Sequence, residues 1–390
     1  MATNVYGTGL NSTAGANTIV HYYDRAGVKA ANRTNVYGQF ADSKSMPKKM
    51  GKTFKISRFE HMYDRSTGDG DFAAKGFMTA RTADEVSAAL TNAQLAEGAT
   101  GVNKRSLQKV TFETSVARYG EMIDYTDEVD LFSEDYIQVR YREELGELAN
   151  SRYEDLIQLD MLSTGTAVYA GTATSMATIG DGIAADGSDD AEVKVSYDLV
   201  RKSVRKLVRN RAKKNTSIIS GSTKIGTTPV ASAYYGIVGA DVKADLEVVT
   251  NSVGELAWTP VHKYGNGQAL AEGEVGAVHE ARFIESESAV VYGQSGADVP
   301  SGYTGSLSYT GTIGSDAKFD VYPILFPTEG AFATVGLKGQ GKIKFGSRSP
   351  EQLDSGNTYG TLGFFSYNFF YAGILLREEA MLKVLVGASI

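Results

Sequence analysis

The sequence contains no cysteine, and it has only 7 prolines, four histidines and one tryptophan among its 390 residues. The absence of cysteine excludes disulfides, thiolate nucleophiles and cysteine-ligated zinc, and it suits folding in a reducing cytoplasm. The histidines never occur at the i, i+4 spacing of a helical zinc site. The first residues lack the basic and apolar regions of a signal peptide. The most apolar run, residues 362–376, falls short of a membrane span, so we expect no membrane partner.

Catalytic motifs are also missing. Residues 336–342, GLKGQGK, have the glycine and lysine spacing of a phosphate loop, but Ile343 stands where a Ser or Thr hydroxyl should reach the metal. We interpret this run as a turn between strands. The acidic cluster at residues 186–192 lacks the glycine and glutamate placement of a calcium loop and is typical of turns. We therefore predict no catalytic, cofactor-binding or metal-binding residue, and a protein that is not an enzyme.

The composition is otherwise that of a globular protein, with 42% hydrophobic and 22% charged residues. The chain is long enough for two or three packed units. Its 43 glycines and 22 tyrosines indicate many turns and strands. The net charge of −7 argues against a protein whose main task is to coat nucleic acid, because that affinity comes from neutralising phosphates.

A long helix is predicted over residues 133–162. Its apolar residues follow a three-and-four spacing, which places them on one side of a helix, and charged residues fill the other side. Ser133 is a suitable cap for its first turn. About 30 residues would form a rod roughly 45 Å long, a spine for the fold. The predicted apolar stripe consists of Ile137, Tyr141, Leu145, Leu148, Tyr153, Leu156 and Leu159.

A two-stranded excursion is predicted before this helix. Residues 54–57 and residues 110–116 alternate between apolar and polar side chains, as half-buried strands do. A short helix lies between them, with Thr82 and Glu85 at capping-box spacing and a stop at Gly98. An isolated hairpin has no core of its own, so we expect this one to gain stability by docking on something else.

The first fifty residues resemble an extended arm. Residues 1–60 hold nine lysines and arginines against three acids, a local excess of basic charge in an acidic chain. Such a segment buries little apolar surface by itself, so we expect it to order against a neighbouring subunit or nucleic acid, the alternative being a frayed terminus. The candidate contact residues of the arm are Arg25, Lys29, Arg33, Lys48 and Lys49.

A second helix is predicted over residues 197–214, with Val200, Val204, Leu207 and Val208 on its apolar side. The opposite side is basic, and Arg201, Arg205 and Arg209 are its candidate contact residues. That side is compatible with a DNA contact, an intersubunit contact or a solvated surface, because no recognition motif accompanies it. A further helix is predicted near residues 241–249. Strands are predicted at residues 168–169, 290–292, 319–325, 333–337, 342–345 and 362–376, and residues 286–316 are predicted to be an exposed loop or hairpin.

Several segments, in order, resemble the major capsid proteins of tailed DNA bacteriophages, and especially the coat-protein family typified by phage N4. They cover the chain from about residue 50 to the C-terminus. They are LAEGATG at 95–101, FETSVARYGEMIDYTDEVDLFSED at 112–135, YGNGQALAEGEVGAV at 264–278, DVYPILFP at 320–327 and ILLREEAMLKVLVGAS at 374–389.

This resemblance implies an α+β chain with the HK97 capsid fold. It implies an N-terminal arm (1–50), an extended E-loop hairpin (51–117), a P-domain with the spine helix (118–196), an A-domain at the capsomer centre (197–340) and C-terminal strands that return through both domains (341–390).

The function implied is that of a late structural protein of the virion, which self-assembles in the host cytoplasm into hexamers and pentamers of an icosahedral head around double-stranded DNA. A portal protein is an implied partner, and scaffolding and decoration proteins are further candidates. The alternative from another class is a self-assembling tail, decoration or surface-layer protein with glycan-binding loops.

Overall fold

The computed structural model describes residues 35–59, 83–95, 97–98, 109–132, 137–216, 232–264, 271–338, 343–353 and 356–389. The helices are α1 (Ala83–Ala93), α2 (Asp127–Phe132), α3 (Ile137–Leu162), α4 (Asp190–Val193), α5 (Tyr197–Arg209) and α6 (Ala240–Glu247). The strands of the first half are β1 (Asp42–Met46), β2 (Thr53–Phe59), β3 (Lys109–Ser115), β4 (Ala117–Thr126), β5 (Ala167–Tyr169) and β6 (Tyr234–Val238). Those of the second half are β7 (Trp258–Pro260), β8 (Glu274–Val278), β9 (Ala281–Glu285), β10 (Tyr309–Thr310), β11 (Lys318–Phe319), β12 (Tyr322–Phe326), β13 (Phe332–Leu337), β14 (Lys344–Arg348), β15 (Leu362–Tyr371), β16 (Gly373–Leu375) and β17 (Leu382–Val386).

The largest element is a seven-stranded sheet with the order β5-β17-β12-β6-β9-β8-β7. It is mixed, because β5 pairs with β17 and β6 with β9 in parallel, while the other neighbours are antiparallel. Every residue of β6 and β12 is buried, as expected for strands covered on both faces. Helices α5 and α6 contribute apolar residues to the same core.

Helix α3 ends at Leu162, as predicted, while residues 133–136, with the expected Ser133 cap, lie outside the described residues. At 1.5 Å per residue it is about 39 Å long. Its first half packs on the sheet of β4 and β15, where the rings of Tyr141 and Tyr125 lie 6.2 Å apart. Its last turn meets the seven-stranded sheet, where Lys383 of β17 donates a hydrogen bond to the carbonyl of Leu162.

The predicted apolar stripe of α3 is correct at Leu145 but wrong at Leu159, which is 55% exposed. The buried apolar residues of the second half are instead Ile157, Met161 and Leu162. At 100° per residue, Met161 lies about 160° around the helix from Leu145. A single straight stripe cannot describe this helix, because its second half is covered on two sides, by β15 at Tyr153 and by residues 37–38 at Glu154 and Gln158.

A three-stranded sheet with the order β14-β15-β4 lies against α3. Alternate residues of β15 are buried, namely Phe365, Tyr367, Phe369 and Tyr371, and the rings of the last two pack edge-on against Tyr153 of α3. The strand predicted over residues 362–376 is therefore two strands, β15 and β16, which belong to different sheets. The break falls at Gly373, where a Cβ would collide with the Asp160 carboxylate.

The third sheet has the order β1-β13-β16, and it contains part of the predicted arm. Strand β1 runs parallel to β13, and Met46 at its end is buried. Val36 and Tyr37 are also buried, and the Tyr37 hydroxyl lies 2.8 Å from the Gln158 amide on α3. Residues 35–46 therefore pack on their own chain, unlike the expectation for the arm, because their few apolar side chains meet α3 and β13.

Residues 286–316 were predicted to be an exposed loop or hairpin; about half of them are exposed, but the prediction is wrong for six residues, which are buried. Val299, Tyr303 and Leu307 are buried in a second small core, which includes Ile179 and Val193 from the segment after β5. A buried carboxylate, that of Asp190, organises it, accepting hydrogen bonds from the Tyr303 hydroxyl at 2.8 Å and the Ser306 amide at 2.6 Å. The acidic cluster thus includes a structural residue. The predicted strand at residues 290–292 is only an isolated bridge from Tyr292 to Val321.

Candidate assembly surfaces

The predicted hairpin is formed by β2 and β3, which pair antiparallel over seven residues each. On one of its faces, Phe54, Ile56 and Phe112 are half-buried against the β1-β13-β16 sheet. No residue of either strand is buried. Phe59, the last residue of β2, pairs with Lys109 and is mostly exposed. The hairpin is thus supported at one face by its own chain and is open on the other.

An ion pair fixes the hairpin to the C-terminal part of the chain. Both guanidinium nitrogens of Arg58 donate to the Glu379 carboxylate, at 2.7 and 3.2 Å, and the guanidinium lies 5.3 Å from the centre of the Phe112 ring. The Glu379 carbonyl also accepts a hydrogen bond from Asn210 after α5. Burial alone would raise the pKa of Glu379, but the hydrogen bonds from Arg58 and from its own backbone amide, together with the positive charges of Arg58 and Arg377, hold that pKa below its usual value. We call this ion pair the hairpin latch.

Helix α5 carries the predicted basic side. Ser196 caps it by accepting a hydrogen bond from the Leu199 amide, and Val200, Val204 and Leu207 are buried as predicted. Two predictions for this helix are wrong. It ends at Arg209 rather than at residue 214, since Arg211 has a left-handed backbone with φ of 54°. Val208 is half exposed instead of buried.

The candidate contact residues fall on separate parts of the fold. Arg201, Arg205 and Arg209 are all exposed on α5. Lys48 and Lys49 are exposed in the turn that leads from β1 to β2, beside the hairpin. Arg25, Lys29 and Arg33 lie outside the described residues.

An apolar surface that sequence reasoning missed lies at the end of the β14-β15-β4 sheet. Helix α2 follows β4 directly and exposes Leu131 and Phe132, the latter to 83%. The loop between β14 and β15 exposes Leu353 and Tyr359. We call these four residues the apolar end. The two segments are joined by a hydrogen bond from the Asp127 amide to the Thr361 carbonyl.

The loop of the apolar end is held in one shape by a buried amide. Asn357 donates to the carbonyls of Pro350, Gln352 and Leu362, and it accepts from the amides of Thr361 and Leu362. Five such bonds fix the loop, so its exposed apolar side chains are presented at little further entropic cost. The signal in the sequence was a Leu-Phe pair directly after the β4 strand.

A second ordered apolar loop follows α6. The Asn251 side chain accepts hydrogen bonds from the amides of Val253 and Glu255, which is an Asx turn. A bridge between Thr250 and Leu256 closes this loop. Val253 and Leu256 are mostly exposed on it. It lies next to the seven-stranded sheet, whereas the apolar end lies at the opposite end of α3.

Two searches of the described residues were negative. In the part of the chain that the structure describes, no three acidic or histidine side chains are placed to hold a metal ion. None of the helices described is both long enough and apolar enough to cross a membrane.

The comparisons with known proteins agree with this geometry. The chain is 27% identical over 390 residues to the major capsid protein of Pseudomonas phage KPP21, which covers 95% of this chain and 93% of that protein. No family model matches the chain. The fold is similar to the capsid of Ralstonia phage GP4, with a TM-score of 0.57, 11% identity and coverage of 98% of this chain and 99% of that one. It is also similar to the capsid asymmetric unit of cyanophage Pam1, with a TM-score of 0.55, 11% identity and full coverage of both chains.

These findings define the class as the HK97-like capsid fold, which confirms the predicted α+β fold. The predicted resemblance of the chain to phage major capsid proteins is confirmed. The relationship to N4-like coat proteins stays a prediction. A tail, decoration or surface-layer protein is not favoured.

Proposed function

We propose that copies of this chain assemble into hexamers and pentamers, and that these form an icosahedral phage head around double-stranded DNA. The observation that carries the proposal is the hairpin of β2 and β3, which has no buried residue and rests on its own chain by one face. A two-stranded hairpin is marginal in water, so a neighbouring subunit that covers its open face would supply the missing burial. In this proposal the hairpin is the E-loop, within residues 51–117.

The other domains follow the same scheme. The arm is residues 1–50, and the P-domain, residues 118–196, carries α3. The A-domain, residues 197–340, contributes most of the seven-stranded sheet and lies at the capsomer centre, and residues 341–390 return through both domains. The ordered loop of Val253 and Leu256 would then meet its neighbours within a ring of copies. The apolar end, at the other end of α3, would meet copies from other rings.

No catalytic step is part of this function. A portal protein is the expected partner, scaffolding and decoration proteins are further candidates, and assembly takes place in the host cytoplasm.

Negative-stain electron microscopy of the purified full chain tests the proposal. The protein is concentrated alone and then together with a candidate scaffolding protein from the same genome. Shells, rings or curved sheets are the expected result. Stable monomers under both conditions would contradict it. A variant without residues 66–108 serves as the control, since it should fold but fail to assemble.

A further inference from the structure

The exposed side of α5 is almost purely cationic. Arg201, Lys202, Arg205 and Arg209 are all exposed along it, and Arg211 and Lys213 continue the basic surface beyond the end of the helix. One acid, Asp198, lies on this side of the helix, and its carboxylate accepts a hydrogen bond from Arg201 at 3.2 Å. An acidic chain with a net charge of −7 thus carries a local concentration of positive charge on one helix.

This helix is fixed firmly to the fold. Lys206 points inward, and its ammonium donates to the Ala167 carbonyl at 2.7 Å; burial, with a smaller contribution from Lys202, lowers the pKa of Lys206 to about 8. The Tyr234 hydroxyl holds the chain just after the helix by a bond to the Ala212 carbonyl at 2.9 Å. The exposed cations therefore stand on a rigid support, which reduces the entropy lost when they bind.

The spacing of the cations suits a regular polyanion. Arg201, Arg205 and Arg209 follow one another every four residues, which is a rise of about 6 Å along the helix for each step. One strand of duplex DNA carries a phosphate about every 3.4 Å along its axis, so each step spans roughly two phosphates. Lys202 lies beside this row and widens it.

The same side offers little to a protein partner. The hot spots of protein interfaces are aromatic or apolar side chains that become buried on binding. On α5, the only exposed apolar side chain is that of Val208, so the helix offers few such contacts. The apolar anchors of this chain lie elsewhere, at the apolar end and on the loop of Val253. The helix also has no asparagine or glutamine, the side chains that pair with the edge of adenine.

We propose that the exposed side of α5 binds the phosphate backbone of duplex DNA without sequence preference. This inference rests on the proposed function, because it assigns a contact to the DNA inside the shell. Three or four phosphate contacts per copy would give weak binding by one subunit. Many copies in a shell would act together, so the contact is strengthened by assembly.

The test measures the affinity of the full chain for a fluorescent duplex of random sequence over a series of salt concentrations. With three or four phosphates neutralised, the logarithm of the binding constant should fall against the logarithm of the salt concentration with a slope of about −3. The variant Arg201→Gln, Lys202→Gln, Arg205→Gln should bind at least tenfold more weakly at low salt and lose most of this slope.

A matched control removes the same charge elsewhere. Lys263, Lys338 and Lys344 are exposed in other parts of the fold, and their triple glutamine variant should keep the affinity and the slope of the original chain. If both triple variants lose affinity equally, or if the α5 variant loses none, the inference is overturned. Thermal unfolding of both variants confirms that they fold.

Assembly is followed by sedimentation in the same samples. Shells or rings from the α5 variant, with weakened DNA binding, support the inference. If that variant or Val208→Ser fails to assemble, the surface is a subunit contact, and the inference fails while the proposed function stands. Tighter binding of polyglutamate than of the duplex at the same charge concentration would indicate an acidic protein partner and would also overturn it. Failure of the original chain to assemble would contradict the proposed function instead.

Discussion

Removal of the hairpin latch is expected to loosen β2 and β3 without unfolding the rest of the chain. The relevant variants are Arg58→Ala, Glu379→Gln and their combination. Arg58→Ala removes both hydrogen bonds to Glu379 and the contact with the Phe112 ring. Glu379→Gln removes the charge, replaces one acceptor oxygen by a donor, and weakens the ion pair with Arg377 at 3.5 Å. Comparison of the three separates the ion pair from the ring contact.

The magnitude follows from the geometry and the exposure of the pair. Hydrogen bonds to charged groups contribute about 1.5–3 kcal/mol when buried, and exposed ion pairs contribute about 0.2–1 kcal/mol. The two side chains of the latch are 31% and 20% exposed, so their interaction lies between these limits. We expect a coupling free energy of about 1–2 kcal/mol between Arg58 and Glu379. Loss of this free energy would raise the equilibrium constant for opening of the hairpin roughly five- to thirtyfold.

Hydrogen exchange at the amides of β2 and β3 is the measurement, with the amides of β12 as an internal reference. The ion pair between Lys55 and Glu113 provides a control, because it also lies on the hairpin. Its charged atoms are 2.7 Å apart, and both side chains are more than 60% exposed. Lys55→Ala should change the exchange of the hairpin by less than about 1 kcal/mol.

The latch also predicts a dependence on pH. The pKa of Glu379 is lower in the folded chain than its ordinary value of 4.5, so its contribution to stability is present above that pH and is lost as the pH falls below it. Protection of the hairpin amides, relative to unstructured amides at the same pH, should therefore fall below about pH 4.5 in the original chain and fall less in Glu379→Gln. An equal loss of protection in both chains, or unchanged protection in Arg58→Ala, would show that the latch does not hold the hairpin.

Three further predictions concern other parts of the chain. Leu131→Ser with Phe132→Ser should leave rings of copies but prevent closed shells in electron micrographs, and normal shells would contradict the role of the apolar end. In chemical unfolding, Ile157→Ala should cost about 2–5 kcal/mol and Leu159→Ala less than about 0.5 kcal/mol, and equal losses would contradict the turned buried side of α3. Since the pKa of Lys206 is lowered to about 8, the free energy of unfolding should rise between about pH 8 and 10, and Lys206→Met should flatten that rise.

Much of the fold could be predicted from local patterns. The alternation in β2 and β3 predicted the hairpin, and the spacing of Val200, Val204 and Leu207 predicted α5. These signals are reliable because each element has one side along its length that is less exposed than the other. The phage capsid resemblance was needed to give the elements their order in space, since no local pattern states which strands of this chain are neighbours.

The failures have a common physical origin in contacts between distant parts of the chain. Tyr303 is buried only because Asp190, more than a hundred residues earlier, accepts its hydrogen bond, so a stretch rich in glycine and serine did not reveal a core. Leu159 is exposed because β15 and residues 37–38 cover the second half of α3 on its other sides. The apolar end was missed because exposure of Phe132 depends on the absence of a covering element, which a sequence pattern does not show.

The pairing of β1 with β13 has a consequence for the timing of folding during synthesis. These strands lie about 290 residues apart in the chain, and the sheet they form is the support of the hairpin. At about 5–20 residues per second, a ribosome needs roughly 15–60 seconds to make the intervening chain. A nascent chain therefore has no finished support for its hairpin until it is nearly complete. In the proposed function, unfinished chains would in this way be kept from joining a growing shell.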